Sequence, residues 1–451
     1  MRRAGAAAAV EEQIASTSAA VPDKLSAVGM KRFSDYVLQL ERSAAALDGS
    51  NIRHAAALDG EPSRELRRVI SLAQRRRNGA FFTSSILARK AVSGVPAGRG
   101  RVFFDPACGA GDLLLAAARL LPVRASLNET LNLWGQCLTG CDIHPEFVRA
   151  TKARLVLLAK QMGVPSNGQR ADLRKVFPFI EVANALTVRQ QYASANWILL
   201  NPPYVAMEAP ETCEWCRGKV SSAALFVEQA ILRCGPRARI TAILPDVLRT
   251  GTRYSKWRRI VSAQTRKVSL RPWGLFDAAA DVDVFLLTIT KQVGGSSRFS
   301  WVPTTPKSRK KLGDLFDVHV GPVVPFRLTG RGQATAFIHA KALPRWAQID
   351  QIDETCHFTG TLYQPPFVVV RRTSRPGDAQ RAVATLVTAP GQVAVENHLI
   401  ICMPKSGLIR DCRELLKRLQ HPQTSRFLDR RIRCRHITVS AMREIPWPVA
   451  S

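Results

Sequence analysis

The stretch "NWILLNPPYV", residues 196–205, decides the reading of this chain. Trp197 to Leu200 is a short apolar run of the kind that forms a strand buried on both faces, although periodicity alone does not separate it from a buried helix segment. The two prolines settle the matter. Neither Pro202 nor Pro203 has an N–H for a sheet ladder, and each drives the residue before it toward extended backbone, so the strand ends at Asn201 in a stiff turn. Such a turn at a strand's carboxyl end lies where open α/β sheets bind their ligands.

On either side of that turn, strand and helix patterns alternate. Residues 101–104 ("RVFF"), 136–142 ("QCLTGCD"), 239–244 ("RITAIL") and 282–289 ("VDVFLLTI") read as further strands. Residues 113–121, 145–162, 223–233 and 252–261 read as helices between them. This alternation predicts a doubly wound, mostly parallel sheet. The expected organisation is an Ala/Ser-rich disordered segment at 1–25 and a helical segment at 26–78 that ends in an arginine run. The main α/β domain follows at 79–293, then a basic Pro/Gly/Ser-rich linker at 294–311 and a second, mixed α/β domain at 312–451. Short β-like runs such as "PFVVVRR" and "HLIICMP" mark that last domain.

Composition narrows the partner. A chain of 451 residues with 46% hydrophobic content can bury sizeable cores. Its formal charge of +30, from 65 Lys and Arg against 35 Asp and Glu, exceeds what solubility requires, although the chain is rich in Ala and Arg throughout. The excess points to a polyanion, with nucleic acid first among them. Arg75, Arg76 and Arg77 form one basic run, and Arg430, Arg431, Arg433 and Arg435 another. Ten scattered cysteines form no disulfide framework and read as reduced intracellular thiols. Cys213 and Cys216 make the lone CxxC, which lacks the second pair of a zinc site, so no metal is expected. Glu11 and Glu12 interrupt the N-terminal apolar run too early for a signal peptide, and no stretch reaches membrane-spanning length. The chain reads as soluble and cytoplasmic, with no membrane partner.

The strand ends carry the chemistry. "FDPACGAGDLLL", residues 104–115, places Gly109 and Gly111 where the chain must turn tightly and let a ligand approach the backbone before a helix starts. The third glycine of a dinucleotide site is missing, and Asp105 would repel a pyrophosphate but suit a cation. Asp142 ends the next strand, where it can accept both hydroxyls of a ribose. In "RADL", residues 170–173, Asp172 can accept from an adenine amine. Each acid alone would serve equally as a helix cap. Three at successive strand ends, with Ala107, Ile143 and Leu173 beside them, suit an adenosine carrying positive charge, such as S-adenosylmethionine.

Four segments together, "GAFFTSSILA", "DPACGAG", "CDIHPEFV" and "NPPY", resemble the N6-adenine DNA methyltransferases of bacterial restriction-modification systems. The likeness is to those whose target-recognition region follows the catalytic domain, and it runs over about residues 75–290. It implies a Rossmann-like S-adenosylmethionine-dependent domain, duplex DNA as partner and substrate, and a separate restriction endonuclease as a further partner in such systems. It also implies that Phe81 and Thr83 lie over the cofactor's methionine end and that Asn201 borders the cofactor. Phe82 and Ser84 stand where the family has Tyr and Pro, and Leu113 stands in place of its Phe.

The resemblance gives the proline turn a task. The N6 amine of adenine is a poor nucleophile because its lone pair is delocalised into the ring. The Asn201 side-chain oxygen and the Pro202 carbonyl, stiffened by Pro203, can accept its two hydrogens and aim the lone pair at a methyl donor. The base must leave the duplex first, and Tyr204 offers a ring to stack on it. A second aromatic is implied on the opposite face, either Phe276 or Phe285.

In the C-terminal part, "LGDLFDVHVGPV", "PPFVVVRRTSRP" and "MREIPWP" loosely resemble target-recognition regions. Arg371, Arg372 and Arg375 would contact phosphates or guanine. The chain has no Asp-x-Lys or Glu-x-Lys, so the spacing of the commonest metal-dependent nuclease is missing. Rival readings are methylation of RNA adenine or of protein glutamine, and a non-catalytic DNA-binding subunit that keeps the fold.

Overall fold

The computed structural model describes residues 27–46, 51–96, 100–166, 168, 171–292, 299–302, 310–328, 330 and 332–447, with the side chains of 51–54 left out. The expected disordered segment at 1–25 and most of the expected linker lie outside the described residues. The chain divides into two compact units, one of residues up to 248 with 253–299, the other of 249–252 with 300–451. No helix among the described residues is long and apolar enough to cross a membrane.

The first unit is built on a seven-stranded sheet. Its strands are β1 (Phe103–Asp105), β2 (Leu138–Asp142), β3 (Ile180–Val182), β4 (Trp197–Leu200), β5 (Arg239–Pro245), β6 (Thr265–Leu275) and β7 (Asp283–Lys291). They lie in the order β3-β2-β1-β4-β5-β7-β6. The first five neighbours run parallel, with Phe104 opposite both Thr139 and Ile198, and Leu200 opposite Ala242. β7 is inserted antiparallel between β5 and β6. All four residues of β4 are buried, as a strand covered on both faces must be. The chain therefore has the doubly wound α/β architecture that the alternation predicts.

Some element limits differ from the sequence reading. Gln136 and Cys137 end the helix Leu127–Cys137 rather than begin β2, because the apolar spacing of that helix carries through to Cys137. The expected helix at 252–261 is a 3-10 turn, Thr252–Tyr254, followed by the helix Ser255–Ala263. β3 is too short for any periodic signal, and β6 alternates so weakly between buried and exposed positions that no run marks it.

Four helices cover the 26–78 region: α1 (Ala27–Ala45), α2 (Asn51–Leu58), α3 (Glu61–Val69) and α4 (Leu72–Asn78). They are followed by α5 (Ser85–Val92), α6 (Asp112–Ala118) after the glycine turn, and α7 (Pro145–Gln161) after β2. α7 buries Phe147, Val148, Ala150 and most of its later residues in the main core, and α1 packs along it. Arg149 of α7 donates through Nε to Glu41 of α1 at 2.8 Å.

The second unit holds a five-stranded sheet of β8 (Phe316–Val320), β9 (Gln348–Ile349), β10 (Phe367–Arg371), β11 (Ala384–Val387) and β12 (Leu399–Pro404). Their order is β8-β12-β10-β11-β9. The two β-like runs of the sequence form β10 and β12, which pair antiparallel with Val369 opposite Ile401. Helices Ile409–Gln420 and Pro422–Arg431 bury Leu415, Leu419 and Leu428 in the same cluster as Val368, Val370 and Ile400. This unit is a second, mixed α/β domain with its own core.

Candidate functional site

The carboxyl ends of β1 to β4 meet around one cavity, whose empty volume out to its open mouth is about 670 Å³. Each strand contributes residues at or just beyond its carboxyl end. β1 brings Pro106, Ala107 and Gly109; β2 brings Asp142, Ile143 and His144; β3 brings Ala183, Asn184 and Ala185; β4 brings Asn201 and Pro203. Asn78, Gly79, Ala80, Phe81 and Phe82 close the cavity from the segment after α4. The size suits a nucleoside-sized ligand.

The glycine turn has the geometry its residues predict. Gly109 and Gly111 sit at φ of +52° and +87°, and Gly111 is the N-cap residue just before α6. A Cβ at Gly111 would lie 2.8 Å from Cγ2 of Thr151, so no other residue fits there. Thr151 in turn donates its hydroxyl to the Gly109 carbonyl at 2.9 Å and fixes the turn from below.

Asp142 is held by the backbone it approaches. Its Oδ2 accepts from Gly109 N–H at 3.0 Å, and its Oδ1 accepts from His144 N–H at 2.9 Å. Burial raises its pKa, and those N–H donors oppose the rise. Each oxygen keeps a lone pair for a further donor. Asp105 is 1% exposed and accepts from Ala107 N–H at 3.1 Å. Burial lifts its carboxyl to about 8, with the nearby Asp142 and Asp112 carboxylates adding to the rise. A buried acid of this kind sits poised to respond to a cation.

The proline turn is tied on both sides. Asn201 donates from Nδ2 to the hydroxyl of the buried Thr83 at 2.8 Å, and its Oδ1 accepts from the Tyr204 phenol at 3.0 Å. The same phenol lies 3.1 Å from the Ile243 carbonyl, and burial lifts it well above the usual tyrosine range. Pro202 is buried, while Pro203 reaches the cavity wall. Gly79 packs directly on this turn: a Cβ there would come within 2.6 Å of Pro203 Cβ and 2.9 Å of Tyr204 N.

The expected cofactor residues Phe81, Ala107, Gly109, Asp142, Ile143 and Asn201 line the cavity together, and Thr83, Asp105 and Gly111 stand immediately behind it. Asp172 and Leu173 do not join them. Asp172 is exposed, caps a turn through Arg174 N–H at 3.0 Å, pairs with Lys175 at 3.5 Å, and precedes β3 instead of ending it. Leu173 packs against the core. Asn184 takes the strand-end position that the sequence reading gave to Asp172, because β3 begins only at Ile180.

The two aromatic candidates separate. The ring of Phe276 meets that of Tyr204 edge to face at 5.7 Å between centroids. Phe285 is fully buried in β7, opposite Leu244. Sequence reasoning missed Gly79, His144, Phe147, Asn184 and Phe226, all at the cavity or against the proline turn. Of these, only Gly79, His144 and Phe147 lie inside quoted motifs. Cys213 is buried and Cys216 accepts from Arg253 Nε at 3.0 Å.

In the second unit, Arg371 ends β10 and donates to the Leu343 carbonyl at 2.7 Å. Arg372 donates to the Asn397 carbonyl at 3.4 Å, and Arg375 is exposed with its N–H on Asp378 at 2.7 Å.

No protein-family model matches this chain, and no curated protein matches it in sequence. Among solved structures, the type IIL restriction-modification enzyme MmeI in complex with DNA is similar over 86% of this chain and 70% of its own, with 13% identity and a TM-score of 0.53. A modification subunit of a type I restriction enzyme from Vibrio vulnificus YJ016 aligns with 55% of this chain at 17% identity and a TM-score of 0.38. The alignment spans 54% of that subunit, about half its length. A class I S-adenosylmethionine-dependent methyltransferase from Listeria monocytogenes aligns with 61% of this chain and 91% of its own at 15% identity and a TM-score of 0.34. At 13% identity the similarity to MmeI establishes a shared fold alone.

Proposed function

We propose that this protein is a site-specific DNA methyltransferase that modifies N6 of an adenine turned out of the duplex. One observation carries the reading: the glycine turn, the strand-end Asp142 and the Asn201-Pro202-Pro203 turn converge on a single cavity. The residues fit S-adenosylmethionine. Gly109 presents a side-chain-free backbone to the cavity, Asp142 keeps lone pairs for a ribose diol, and the buried Asp105 favours a positively charged neighbour. When bound, that cofactor supplies an electrophilic methyl group.

The rest of the work falls to this chain's own side chains. Asn201 Oδ1 and the Pro202 carbonyl accept the two amine hydrogens and draw N6 out of conjugation. Thr83 orients the Asn201 amide by accepting from Nδ2, so that Oδ1 is the atom presented. Tyr204 stacks on the base, and Phe276, whose ring touches that of Tyr204 edge to face, is the candidate that lies beside it. No covalent intermediate is required, and the gain in rate comes from position and electrostatics.

The basic charge of +30 supports nucleic acid as the substrate over a protein glutamine. The second unit, with its basic β10 turn, is the proposed reader of sequence, and a restriction endonuclease is the proposed functional partner. Methylation of duplex DNA by the purified chain, read at single-base resolution, tests the proposal. The expected product is N6-methyladenine at one sequence context, abolished by Asn201→Ala. Cofactor binding without any transfer to DNA would overturn it.

A further inference from the structure

The second unit contains a basic recess apart from the cavity above. Its empty volume to the open mouth is about 890 Å³, and Arg345, Arg371, Thr373, Ser374, Gln380 and Arg381 line it. Two backbone ties bring the distant arginines together. Trp346 N–H donates to the Ala384 carbonyl and Arg371 N–H to the Val383 carbonyl, each at 2.8 Å, so Arg345 and Arg371 flank the start of β11.

The three arginines differ in how their charge is matched. Arg381 is fully buried and satisfied: Nη1 pairs with Asp429 at 2.7 Å, Nε donates to Ser374 Oγ at 3.0 Å, and Nη2 donates to the Cys434 carbonyl at 3.0 Å. It forms the floor. Arg371 donates to a neutral carbonyl, and neither it nor Arg345 forms an ion pair among the described residues. The remaining acid at the rim, Asp378, accepts from Arg375 N–H within its own turn. Two like charges side by side repel, and among the described residues no ion pair offsets either of them. Burial and the neighbouring Arg345 both push the pKa of Arg371 down. The Ser374 hydroxyl, whose oxygen accepts from Arg381, keeps its hydrogen for a further acceptor.

We infer that this recess binds one oxyanion, a backbone phosphate of duplex DNA, between the guanidinium forks of Arg345 and Arg371 and the Ser374 hydroxyl. Forked arginines match a tetrahedral phosphate two oxygens at a time. The inference rests on the DNA reading above and assigns Arg371 to the phosphate, not to guanine. Arg345, which sequence reasoning passed over, becomes its partner.

The test uses the full chain and duplex binding measured across a salt series. Arg345 is exposed, so Arg345→Ala and Arg345→Gln should leave unfolding temperature and cofactor binding unchanged. Both should weaken binding roughly tenfold at low salt and make the log-log salt slope shallower by roughly 0.9, the contribution of one phosphate, equally for duplexes of different sequence. An unchanged slope overturns the inference. A loss confined to one base pair assigns the recess to base reading and also overturns it. Titration with inorganic phosphate at constant ionic strength forms a second arm. Phosphate uptake that depends on Arg345, beside an unaltered duplex slope, makes the recess a free-anion site and rejects the DNA source. Methyl transfer to DNA separates this inference from the function: transfer with an unaltered slope removes the recess alone, whereas an Arg345-dependent slope without transfer removes the methyltransferase reading alone.

Discussion

The phenolic hydrogen of Tyr204 stands between two acceptors, Asn201 Oδ1 at 3.0 Å and the Ile243 carbonyl at 3.1 Å. One hydrogen cannot serve both fully, so the pair forms a two-position arrangement. With the hydrogen on Asn201, the oxygen proposed to accept from N6 is occupied. With it on Ile243, that oxygen is free and the phenol remains satisfied, so releasing Asn201 leaves no buried donor unpaired.

Tyr204→Phe keeps the stacking ring and removes that arrangement. Its loss in methylation rate should be about tenfold or less, the size of one net hydrogen bond. Asn201→Ala should lower the rate by roughly 10² to 10³ or more, because it removes an acceptor needed as N6 pyramidalises. Single-turnover methylation, with a fluorescent adenine analogue reporting base flipping, resolves the two. Equal losses in both variants would give the phenol a part in the chemistry itself.

Asp105 should make cofactor binding depend on pH. Its folded carboxyl titrates at about 8 against an ordinary value near 4, so the native state holds a proton that the unfolded chain has released. Stability from this group is full below about pH 4 and is lost as pH rises to about 8. A cation bound beside it favours the ionised form, so binding expels the proton and affinity should rise with pH up to about 8. Calorimetry of S-adenosylmethionine binding in buffers of different ionisation enthalpy measures the release. Asp105→Asn should abolish Asp105's share of it and flatten the stability trend.

Gly79 tests how closely the upstream segment supports the proline turn. Gly79→Ala puts a methyl within 2.6 Å of Pro203 and demands a φ of +63° from an L side chain. The strain should cost about 1 to 3 kcal/mol and displace the turn. Methyl transfer should fall more than cofactor affinity does. The opposite order would mean that the segment serves the cofactor alone.

Arg154 joins the N-terminal helices to the glycine turn. It is fully buried, donates to the Ala57 carbonyl at 2.8 Å and to the Ala110 carbonyl, and pairs with Asp112 at 2.9 Å. Arg154→Met leaves the largely enclosed Asp112 without its counter-ion and should cost about 3 to 5 kcal/mol in denaturant unfolding. Adding Asp112→Leu should recover part of that loss, since replacing both partners removes the stranded charge.

Residue types alone determined several of these features. A proline has no N–H in any environment, so the end of β4 and the stiff turn after it were legible from Pro202 and Pro203. Glycine alone tolerates positive φ, so the tight turn at Gly109 and Gly111 was legible too. Alternating apolar periods carried the doubly wound sheet, because burial on a strand or helix face repeats with the local geometry of the chain. What lay beyond the sequence depends on register between distant segments. Asp172 and Asn184 compete for one role, and only the start of β3 at Ile180 decides which follows a strand. Phe276 and Phe285 are equally aromatic, but pairing with β5 places one within the sheet while the other meets Tyr204. Arg345 and Arg371 share a recess because both are tied to the start of β11, and neither local propensity nor charge pattern encodes that adjacency. Local geometry is written in each residue's own covalent structure, whereas these meetings arise only when the sheets close.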